Sequence, residues 1–362
     1  MELRQGTMET LVNRAFWRQR KVFLTGHTGF KGSWLSLWLQ HLGAEVHGYA
    51  LPPPTEPSMF NVCGIGRGMA STLGDIRDSN TLSRTLLDSG CEIVLHLAAQ
   101  PLVLDSFVRP LETLETNVMG TAHLLEAVRH CPNVRAVVVV SSDKCYENRE
   151  QLWGYRETDP MGGYDPYSAS KGCTELVVAA YRQSFLAARG THVASARAGN
   201  VIGGGDWAPN RLVPDVLTAF ASAQAVELRH PSATRPWQHV LEPLYGYLLL
   251  AQRLFEQGSA FAEGWNFGPD DSDAKTVSWI VDRLAKGWGS DAHWTQTTPS
   301  RHHEAQMLKL DCSKARARLG WHPRWHAEAA VARSLAWYQA WRAGADMHAY
   351  TLDEITAFDS TS

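Results

Sequence analysis

The sequence predicts an α/β fold, namely a Rossmann-type doubly wound parallel sheet followed by a smaller C-terminal lobe. Three observations predict this fold. A glycine-rich turn joins an apolar strand to a helix, apolar runs alternate with helical patterns through the first half, and glycine- and proline-rich loops begin after residue 199. Runs that are apolar on both faces are typical of parallel strands covered by helices. Their alternation with helical patterns therefore predicts one sheet with helices on both faces.

The first strand and helix flank the glycine-rich turn 25–32, which reads Thr-Gly-His-Thr-Gly-Phe-Lys-Gly. An apolar strand at 21–25 precedes it, and apolar residues at helical spacing follow, with a glycine suited to end the helix: Leu35, Trp38, Leu39, Leu42 and Gly43. Free amides and the helix dipole at such a turn can hold a pyrophosphate. The turn predicts a dinucleotide site formed by Gly26, Thr28, Gly29, Phe30 and Gly32, although its first glycine gap is one residue longer than in the common fingerprint.

The following elements continue the alternation. Strands are predicted at 45–49, 91–97 and 134–140, and a helix at 117–130. Ligands of such sheets bind outside the carboxyl ends of the strands. The segments 96–100 and 141–144 lie at the carboxyl ends of these strands, so both are predicted to border a binding site.

A second candidate site feature is a tyrosine and a lysine four residues apart, Tyr167 and Lys171. Asp165 suits a helix N-cap and Pro166 suits the first helical position, so the pair is predicted to share one helix face. An ammonium beside a phenol favours the phenolate and lowers the tyrosine pKa. Tyr167 is therefore predicted to be a base that takes a proton from a hydroxyl group.

Composition excludes several classes of function. A net charge of -3 over 362 residues gives no electrostatic basis for binding nucleic acid or an anionic membrane. We expect neither a signal peptide nor a membrane span, and the six scattered cysteines without a Cys-x-x-Cys pair fit a cytoplasmic protein. No metal site is predicted, because the adjacent His302 and His303 point different ways on a helix and no third ligand is evident.

Three regions are predicted along the chain. Residues 1–20 are an N-terminal lead-in, in which Met8 is an alternative start, and residues 21–198 form the dinucleotide-binding Rossmann domain. Residues 199–362 form mainly the second lobe, with some segments returning to the first domain. The segment 266–269 is expected to be one such return, because it resembles a strand end.

Together these motifs resemble the extended short-chain dehydrogenase/reductase family over roughly residues 20–340. Within that family the chain is similar to the nucleotide-sugar 4,6-dehydratases that act on CDP-linked glucose. Six stretches carry this similarity in order: 26–34, 54–60, 142–148, 162–167, 197–207 and 235–240. The resemblance implies NAD as cofactor, CDP-glucose as substrate and a nucleotide-sugar-binding second lobe. It also implies a homodimer or higher homo-oligomer and a role in making deoxysugars for bacterial surface polysaccharide.

The resemblance also implies catalytic roles. Tyr167 takes the C4 hydroxyl proton while NAD accepts the C4 hydride, and Lys171 holds the nicotinamide ribose. Ser142 bonds the sugar near C4, and Asp143 protonates the C6 hydroxyl so that water leaves. The better-known dTDP-glucose members have a glutamate as the C5 base where this chain has Lys144. Either a neutral Lys144 is the base, which we favour slightly, or it stabilises the enolate while another group or water removes the proton.

For the cofactor, the second strand end at 49–52 has neither the acid typical of NAD enzymes nor the basic residue typical of NADP enzymes. The prediction of NAD as cofactor therefore rests on the resemblance and on the absence of an arginine from this strand end. The resemblance implies that further residues line the dinucleotide: Asp75 and Ile76 beside adenine, and Ala98, Ala99, Gln100 and Asn117.

For the substrate, Asn200, Arg211 and Arg235 are candidates to meet the diphosphate, because the guanidinium fork matches two phosphate oxygens. Trp237 or Trp207 is a candidate to stack on the base or to form a wall of the sugar pocket, and His239 is expected to be structural. Two alternatives stay open: a nucleotide-sugar 4-epimerase or reductase on the same scaffold, and a non-catalytic dinucleotide-binding regulator. The pair Asp143 and Lys144 argues against the first, and the presence of Tyr167 and Lys171 against the second.

Overall fold

The computed structural model describes residues 12–289, 292–297 and 307–361. The predicted parallel sheet is confirmed. Within the described residues it has seven strands: β1 Lys21–Thr25, β2 Glu45–Ala50, β3 Ala70–Leu73, β4 Ile93–His96, β5 Ala136–Val140, β6 His192–Arg197 and β11 Gly264–Asn266. Their order is β11-β6-β5-β4-β1-β2-β3, and every neighbouring pair is parallel. The strand order reverses between β1 and β4, which opens a crevice at their carboxyl ends.

Helices cover both faces of the sheet. Along the chain they are α1 Arg14–Trp17, α2 Phe30–His41, α3 Met59–Val62, α4 Ser79–Ser89, α5 Val103–Val108, α6 Pro110–Leu114, α7 Gly120–His130, α8 Pro166–Tyr181, α9 Leu212–Ala221, α10 Leu241–Gln257, α11 Val277–Trp288, α12 Ser313–Leu319, α13 Ala327–Arg342 and α14 Met347–Asp359. The predicted helix at 117–130 is α7, which a π-helical turn Glu115–Met119 precedes. None of the helices in the described ranges is long and apolar enough to cross a bilayer.

Alternate residues of the central strands point into two separate cores. Val22 and Leu24 of β1 belong to one core, which also contains side chains of α2 and α10, whereas Phe23 between them belongs to a core with side chains of α4 and α7. The strands β4, β5 and β6 alternate in the same way. Burial on both faces explains why these strands read as continuous apolar runs in the sequence.

The second half of the chain contributes both to the sheet and to a set of shorter elements. As the pattern at 266–269 predicted, β11 returns to the sheet and pairs with β6. Paired short strands build the rest: β7 Val201–Ile202 with β10 Gln238–His239, β9 Thr234–Pro236 with β12 Ala274–Thr276, and β8 Val226–Leu228 with β13 Trp294–Gln296. The boundary at residues 198 and 199 stays a prediction.

Residues 12–20 differ from the expected lead-in. Phe16 and Trp17 of α1 are buried, and Phe16 contacts Phe255 edge to face. The guanidinium of Arg20 stacks on both phenyl rings. This segment therefore contributes Phe16 and Trp17 to the core. The sequence pattern did not reveal this, because a single turn of helix is too short to show a period. Residues 1–11, and with them Met8, lie outside the described residues, as do His302 and His303.

Candidate active site

A cleft of about 970 Å³ opens at the carboxyl ends of the central strands. Its walls combine the glycine-rich turn, the ends of β4, β5 and β6, and residues of the second half such as Trp207 and Arg211. A cleft of this size is at the upper end of the range for ligand sites, and it lies where a doubly wound sheet binds its ligand.

The glycine-rich turn forms the floor of the cleft. Gly26 has φ +76°, and a Cβ there would lie 2.7 Å from the amide nitrogen of Ala98; a Cβ on Gly32 would lie 2.0 Å from the carbonyl oxygen of Gly26. Only glycine fits at these two positions. Gly29 is the N-cap of α2 and supplies no side-chain cap, so the first amides of this helix are open to an anionic ligand. Thr28 and Phe30 also line the cleft.

At the far end of this floor, Asp75 and Ile76 line the cleft as predicted, and so does Arg77. The Asp75 carboxylate accepts from the Arg77 guanidinium at 2.6 Å, and this hydrogen bond holds the pKa of Asp75 below its usual range. The strand end at 49–52 has no arginine, but Arg77 lies at this end of the cleft in the folded protein. Its guanidinium is paired with the Asp75 carboxylate. Its sequence signal was its position directly after the 75–76 pair.

Ala98, Ala99 and Gln100 form one wall of the cleft. Asn117 differs from its predicted place because it lies behind this wall: its side chain accepts from the Gln100 amide at 2.8 Å and donates to the Gln100 carbonyl at 3.1 Å. It also donates to Ser170 Oγ at 2.9 Å. Asn117 therefore holds the wall against the helix α8 rather than facing the cleft.

The predicted helix start at 165–167 is present in α8. The Asp165 carboxylate accepts from the Ser168 amide at 2.8 Å, and Pro166 occupies the first turn. Tyr167 and Lys171 follow on one face, and both line the cleft while being nearly buried. The Lys171 Nζ lies 6.0 Å from the centre of the Tyr167 ring.

The predicted lowering of the Tyr167 pKa is wrong for this structure. Burial, which penalises the phenolate, raises the pKa of Tyr167 to about 12; a hydrogen bond with Ser142 opposes the rise and the charge of Asp143 adds to it. Burial likewise lowers the pKa of Lys171 to about 8. Sequence spacing located the pair correctly, but it carried no information on the cost of desolvating both groups.

Ser142, Asp143 and Lys144 line the cleft directly after β5. Ser142 Oγ donates to Asp143 Oδ1 at 2.9 Å and accepts from the Lys144 amide at 3.2 Å. The other carboxylate oxygen, Asp143 Oδ2, is buried and has no hydrogen-bond partner among the described residues. It lies against the backbone of Gly199, where a Cβ would come within 1.8 Å. A buried acid with one oxygen unused is suited to exchange a proton with a ligand.

An ion pair beneath the cleft connects α8 to β5 and β6. Arg197 donates to both oxygens of Glu175 at 2.8 Å, and Ser195 Oγ donates to the same carboxylate at 2.5 Å. Burial alone would raise the pKa of Glu175, but the hydrogen bonds and charge of Arg197 outweigh it and hold that pKa below its usual range. Ser141, which directly precedes Ser142, donates to this carboxylate too. The network therefore fixes the helix that carries Tyr167 relative to the strand end that carries Asp143.

Sequence reasoning missed Lys31 of the glycine-rich turn, whose partly buried side chain lines the cleft. Its Nζ lies 3.5 Å from the hydroxyl of buried Tyr247. Burial, with the charges of Arg211 and Lys171, lowers the pKa of Lys31 to about 7, while Asp143 opposes the shift. The sequence signal was a lysine inside a turn whose other side chains, apart from His27, are small or apolar.

The four residues predicted to bind the substrate, Asn200, Arg211, Arg235 and Trp237, all line the cleft. Arg211 Nη1 lies 2.9 Å from Asp206 Oδ2, and Trp237 Nε1 donates to the Lys275 carbonyl at 3.0 Å. Trp207 also lines the cleft but packs against Trp337, Tyr338 and Trp341. His239, predicted to be structural, is buried between the rings of Trp34 and Trp325.

Comparison with known proteins agrees with this geometry. Residues 23–334 match the sequence model of the GDP-mannose 4,6 dehydratase family. CDP-glucose 4,6-dehydratase of Salmonella typhimurium is 54% identical over 357 residues, which cover 97% of this chain and 99% of that protein. dTDP-glucose 4,6-dehydratase of Streptomyces antibioticus is 28% identical over 89% of this chain and 93% of that protein.

Solved structures show the same fold. A dTDP-glucose 4,6-dehydratase of Streptomyces venezuelae with NAD bound superposes with a TM-score of 0.76 at 24% identity, covering 90% of this chain and 98% of the other. UDP-glucose 4-epimerase of Thermotoga maritima superposes with a TM-score of 0.77 at 21% identity, covering 89% of this chain and 99% of the other. The match over residues 23–334 and the 54% identity over nearly the full chain show that this chain belongs to the GDP-mannose 4,6-dehydratase family.

Proposed function

We propose that this protein is a CDP-glucose 4,6-dehydratase, a hydro-lyase that converts CDP-glucose to CDP-4-dehydro-6-deoxyglucose and water with NAD as its cofactor. The observation that carries the proposal is the buried acid Asp143, which accepts a hydrogen bond from Ser142 and lies beside Tyr167. An epimerase needs the tyrosine and lysine but no acid for eliminating water. The 54% identity over nearly the whole chain supports CDP-glucose as the substrate.

The residues of the cleft fit NAD. The uncapped amides that follow Gly29 suit the pyrophosphate, and the wall of Ala98, Ala99 and Gln100 suits the nicotinamide end. Asp75 and Ile76 lie where the adenine end is expected. Held by these residues, NAD would supply hydride transfer, taking up the C4 hydride of the sugar and giving it back at C6.

The side chains of this chain then divide the proton chemistry. Tyr167 accepts the C4 hydroxyl proton, and Lys171 orients the ribose and tunes Tyr167. Asp143 protonates the C6 hydroxyl, which leaves as water. Lys144, which lines the cleft one residue further on, removes the C5 proton or stabilises the enolate. Arg211 and Arg235 bind the diphosphate, with Asn200 and Trp237 beside them.

The test is a substrate panel. The purified protein with NAD is incubated separately with CDP-glucose, dTDP-glucose, UDP-glucose and GDP-mannose, and the alkali-induced absorbance of a 4-keto-6-deoxy sugar is measured. Product from CDP-glucose alone is expected. Product from another nucleotide sugar would retain the reaction and contradict the substrate, and no product from any of them would contradict the dehydratase.

We also propose that the protein acts as a homodimer in the cytoplasm. Exposed apolar side chains lie on three helices, including Phe107 on α5, Leu111 on α6 and Leu176 on α8, and α5 and α6 pack against α8. Exposed apolar side chains on neighbouring helices are typical of subunit interfaces. The six unpaired cysteines support a reducing compartment.

A further inference from the structure

A buried histidine, His96, takes no part in the proposed chemistry but lies close to the cleft. It ends β4, two residues before the wall 98–100, and is 2% exposed. Its Nδ1 lies 2.7 Å from Thr25 Oγ1, and its Nε2 lies 3.1 Å from Thr121 Oγ1. Burial, with the charge of Lys171, lowers the pKa of His96 to about 3, so the imidazole is neutral and carries one N–H hydrogen.

The neighbours of His96 determine which ring nitrogen carries that hydrogen. The Thr121 hydroxyl donates its only hydrogen to the Asn117 carbonyl at 2.7 Å, so its oxygen accepts from His96 Nε2. His96 Nδ1 is then an acceptor, and the Thr25 hydroxyl donates to it. The Thr25 oxygen in turn accepts from the Ala98 amide at 3.2 Å. The neutral imidazole therefore sets the direction of each hydroxyl hydrogen in this chain.

These hydrogen bonds form a ring that includes the wall 98–100. Thr25 holds the first residue of the wall by its amide, and the Asn117 side chain holds the last residue by its amide at 2.8 Å. His96 connects these two contacts, directly to Thr25 and through Thr121 to the Asn117 carbonyl. Both ends of the wall are therefore fixed by groups whose orientation depends on His96.

The same ring is attached to the helix α8, which carries the tyrosine and lysine of the site. The Asn117 carbonyl also accepts from Thr174 Oγ1 at 2.9 Å, and the Asn117 amide donates to Ser170 Oγ at 2.9 Å. Ser170 and Thr174 share one face of α8, and Ser170 directly precedes Lys171. His96 thus has two connections, one to the wall of the cleft and one to the helix α8.

We propose that His96 is a positioning residue, which holds the wall beside the nicotinamide through Thr25 and holds α8 through Thr121. The proposal rests on the proposed dehydratase function. His96 is not one of the described residues that line the cleft, so it acts only through these neighbours. Hydride transfer requires the nicotinamide, which the wall supports, to stay aligned with the sugar, which Tyr167 supports. A misplacement of about 1 Å between such groups can lower a rate about 100-fold.

Two substitutions each keep one of the two connections. Asparagine places its carbonyl oxygen close to the position of the ring Nδ1 but is too short to reach Thr121, so His96→Asn keeps the hydrogen bond from Thr25. Glutamine places its amide nitrogen close to the position of Nε2, so His96→Gln keeps the hydrogen bond to Thr121. In His96→Gln the Thr25 hydroxyl has lost its acceptor, and it is expected to turn away from the amide that it holds.

The test measures NAD affinity and turnover separately. The dissociation constant of NAD is measured by calorimetry on protein freed of cofactor, and kcat by the keto-sugar assay with saturating NAD and CDP-glucose. We expect His96→Gln to raise the dissociation constant about tenfold and to retain most of kcat. His96→Asn leaves a gap beside Thr121 into which α8 can shift, so it should lower kcat about tenfold and change the dissociation constant less than about twofold.

Two threonine variants are matched controls, because they break one connection without removing the imidazole. Thr25→Val should weaken NAD binding as His96→Gln does, whereas Thr25→Ser, which keeps the hydroxyl, should bind NAD like the wild type. Thr121→Val should lower kcat as His96→Asn does. The double variant Thr25→Val/His96→Gln should bind NAD no more weakly than the weaker single variant, since both changes break the same connection. The valine variants also test each connection if a His96 variant does not fold.

A merely structural histidine predicts a different result. His96→Asn and His96→Gln remove the same buried ring, so both would lower the melting temperature and change the two constants in parallel or not at all, which would overturn the proposal. If the wild type forms no keto sugar from any nucleotide sugar, the proposed function is wrong. Weaker NAD binding in His96→Gln but not in His96→Asn would then still support the connection through Thr25, and equal binding would refute it.

Discussion

At the scale of single residues, the reactive groups depend on neighbours that contribute no chemistry. Gly199 is the clearest case, because its backbone lies against the Asp143 carboxylate and its carbonyl accepts from Gln238 at 3.2 Å. The loop cannot retreat without breaking that hydrogen bond. The absence of a Cβ at residue 199 is therefore part of what positions the acid.

Gly199→Ala is expected to lower kcat at least about tenfold, because its Cβ would come within 1.8 Å of Asp143 Oδ2 and push the carboxylate away from Ser142. The keto-sugar assay measures this. Gly344→Ala is the control: its Cβ meets nothing within 4 Å, although its φ of +78° costs about 1 kcal/mol of stability. A folded Gly199→Ala protein with wild-type kcat would contradict this account of Asp143.

Lys31 illustrates the conflict between stability and function at one residue. Burial lowers its pKa from 10.5 to about 7, so between these two values the unfolded chain binds more protons than the folded one. Below about pH 7 the free energy of unfolding is therefore reduced by the whole cost of burying the charged Lys31. Above about pH 7 the folded protein loses this charge, and the free energy of unfolding rises with pH.

Lys31→Met should raise the free energy of unfolding near neutral pH by on the order of 1 kcal/mol and remove this rise. It should also lower kcat/KM about tenfold, because a charge beside Asp143 is lost. Urea denaturation at several pH values measures the first effect and the keto-sugar assay the second. Lys21→Met, at an exposed position of β1, should change neither, and a Lys31→Met protein less stable than the wild type would refute the argument.

At the scale of elements, the helix α8 and the strands β5 and β6 behave as one unit. Tyr167, Lys171 and Glu175 are four residues apart and share a face of α8. The first two line the cleft and the third binds Arg197 of β6. The ion pair therefore fixes the position of α8 relative to β6, and the Asp165 cap fixes where α8 begins.

Arg197→Met should destabilise the fold by about 3–5 kcal/mol, because it leaves the buried Glu175 carboxylate without its partner. The free energy of unfolding in urea is the measurement. The double variant Glu175→Leu/Arg197→Met should be less destabilised than the sum of its two single variants, since neither charge is then buried alone. A loss below about 1 kcal/mol for Arg197→Met would show that the pair does not hold the helix.

At the scale of the whole molecule, the cleft is bounded by residues from both halves of the chain, and the outer surface carries the proposed dimer interface. Leu176 is 62% exposed on α8 and Leu111 is 73% exposed on α6. Such exposure means that a charged side chain at either position disturbs no internal packing. The subunit contact can therefore be tested without unfolding the chain.

Leu176→Glu is expected to convert the dimer to a monomer, because two charges would be buried against an apolar surface at the interface. Sedimentation velocity measures the mass. Leu87→Glu is the matched control, since Leu87 is also exposed but lies on α4 away from this surface. A wild-type protein that is monomeric, or a Leu176→Glu protein that remains dimeric, would contradict the proposed interface.

The sequence by itself determined the parts of this protein whose signal is local. The glycine-rich turn, the alternating strands and the capped helix with Tyr167 and Lys171 were all predictable, because periodicity and cap residues act over a few positions. The resemblance implied the roles of Ser142, Asp143 and Lys144, and side-chain chemistry indicated the substrate-binding candidates. All of these residues line the cleft.

Only the tertiary structure decided which of these groups are in contact and how burial and neighbouring charges change their pKa values. It set Asn117 behind Gln100, brought Arg77 and Lys31 to the cleft, and packed Phe16 and Trp17 into the core. It also raised the pKa of Tyr167 where spacing alone predicted a fall. These outcomes depend on contacts between distant residues and on desolvation, and neither leaves a periodic pattern in the chain.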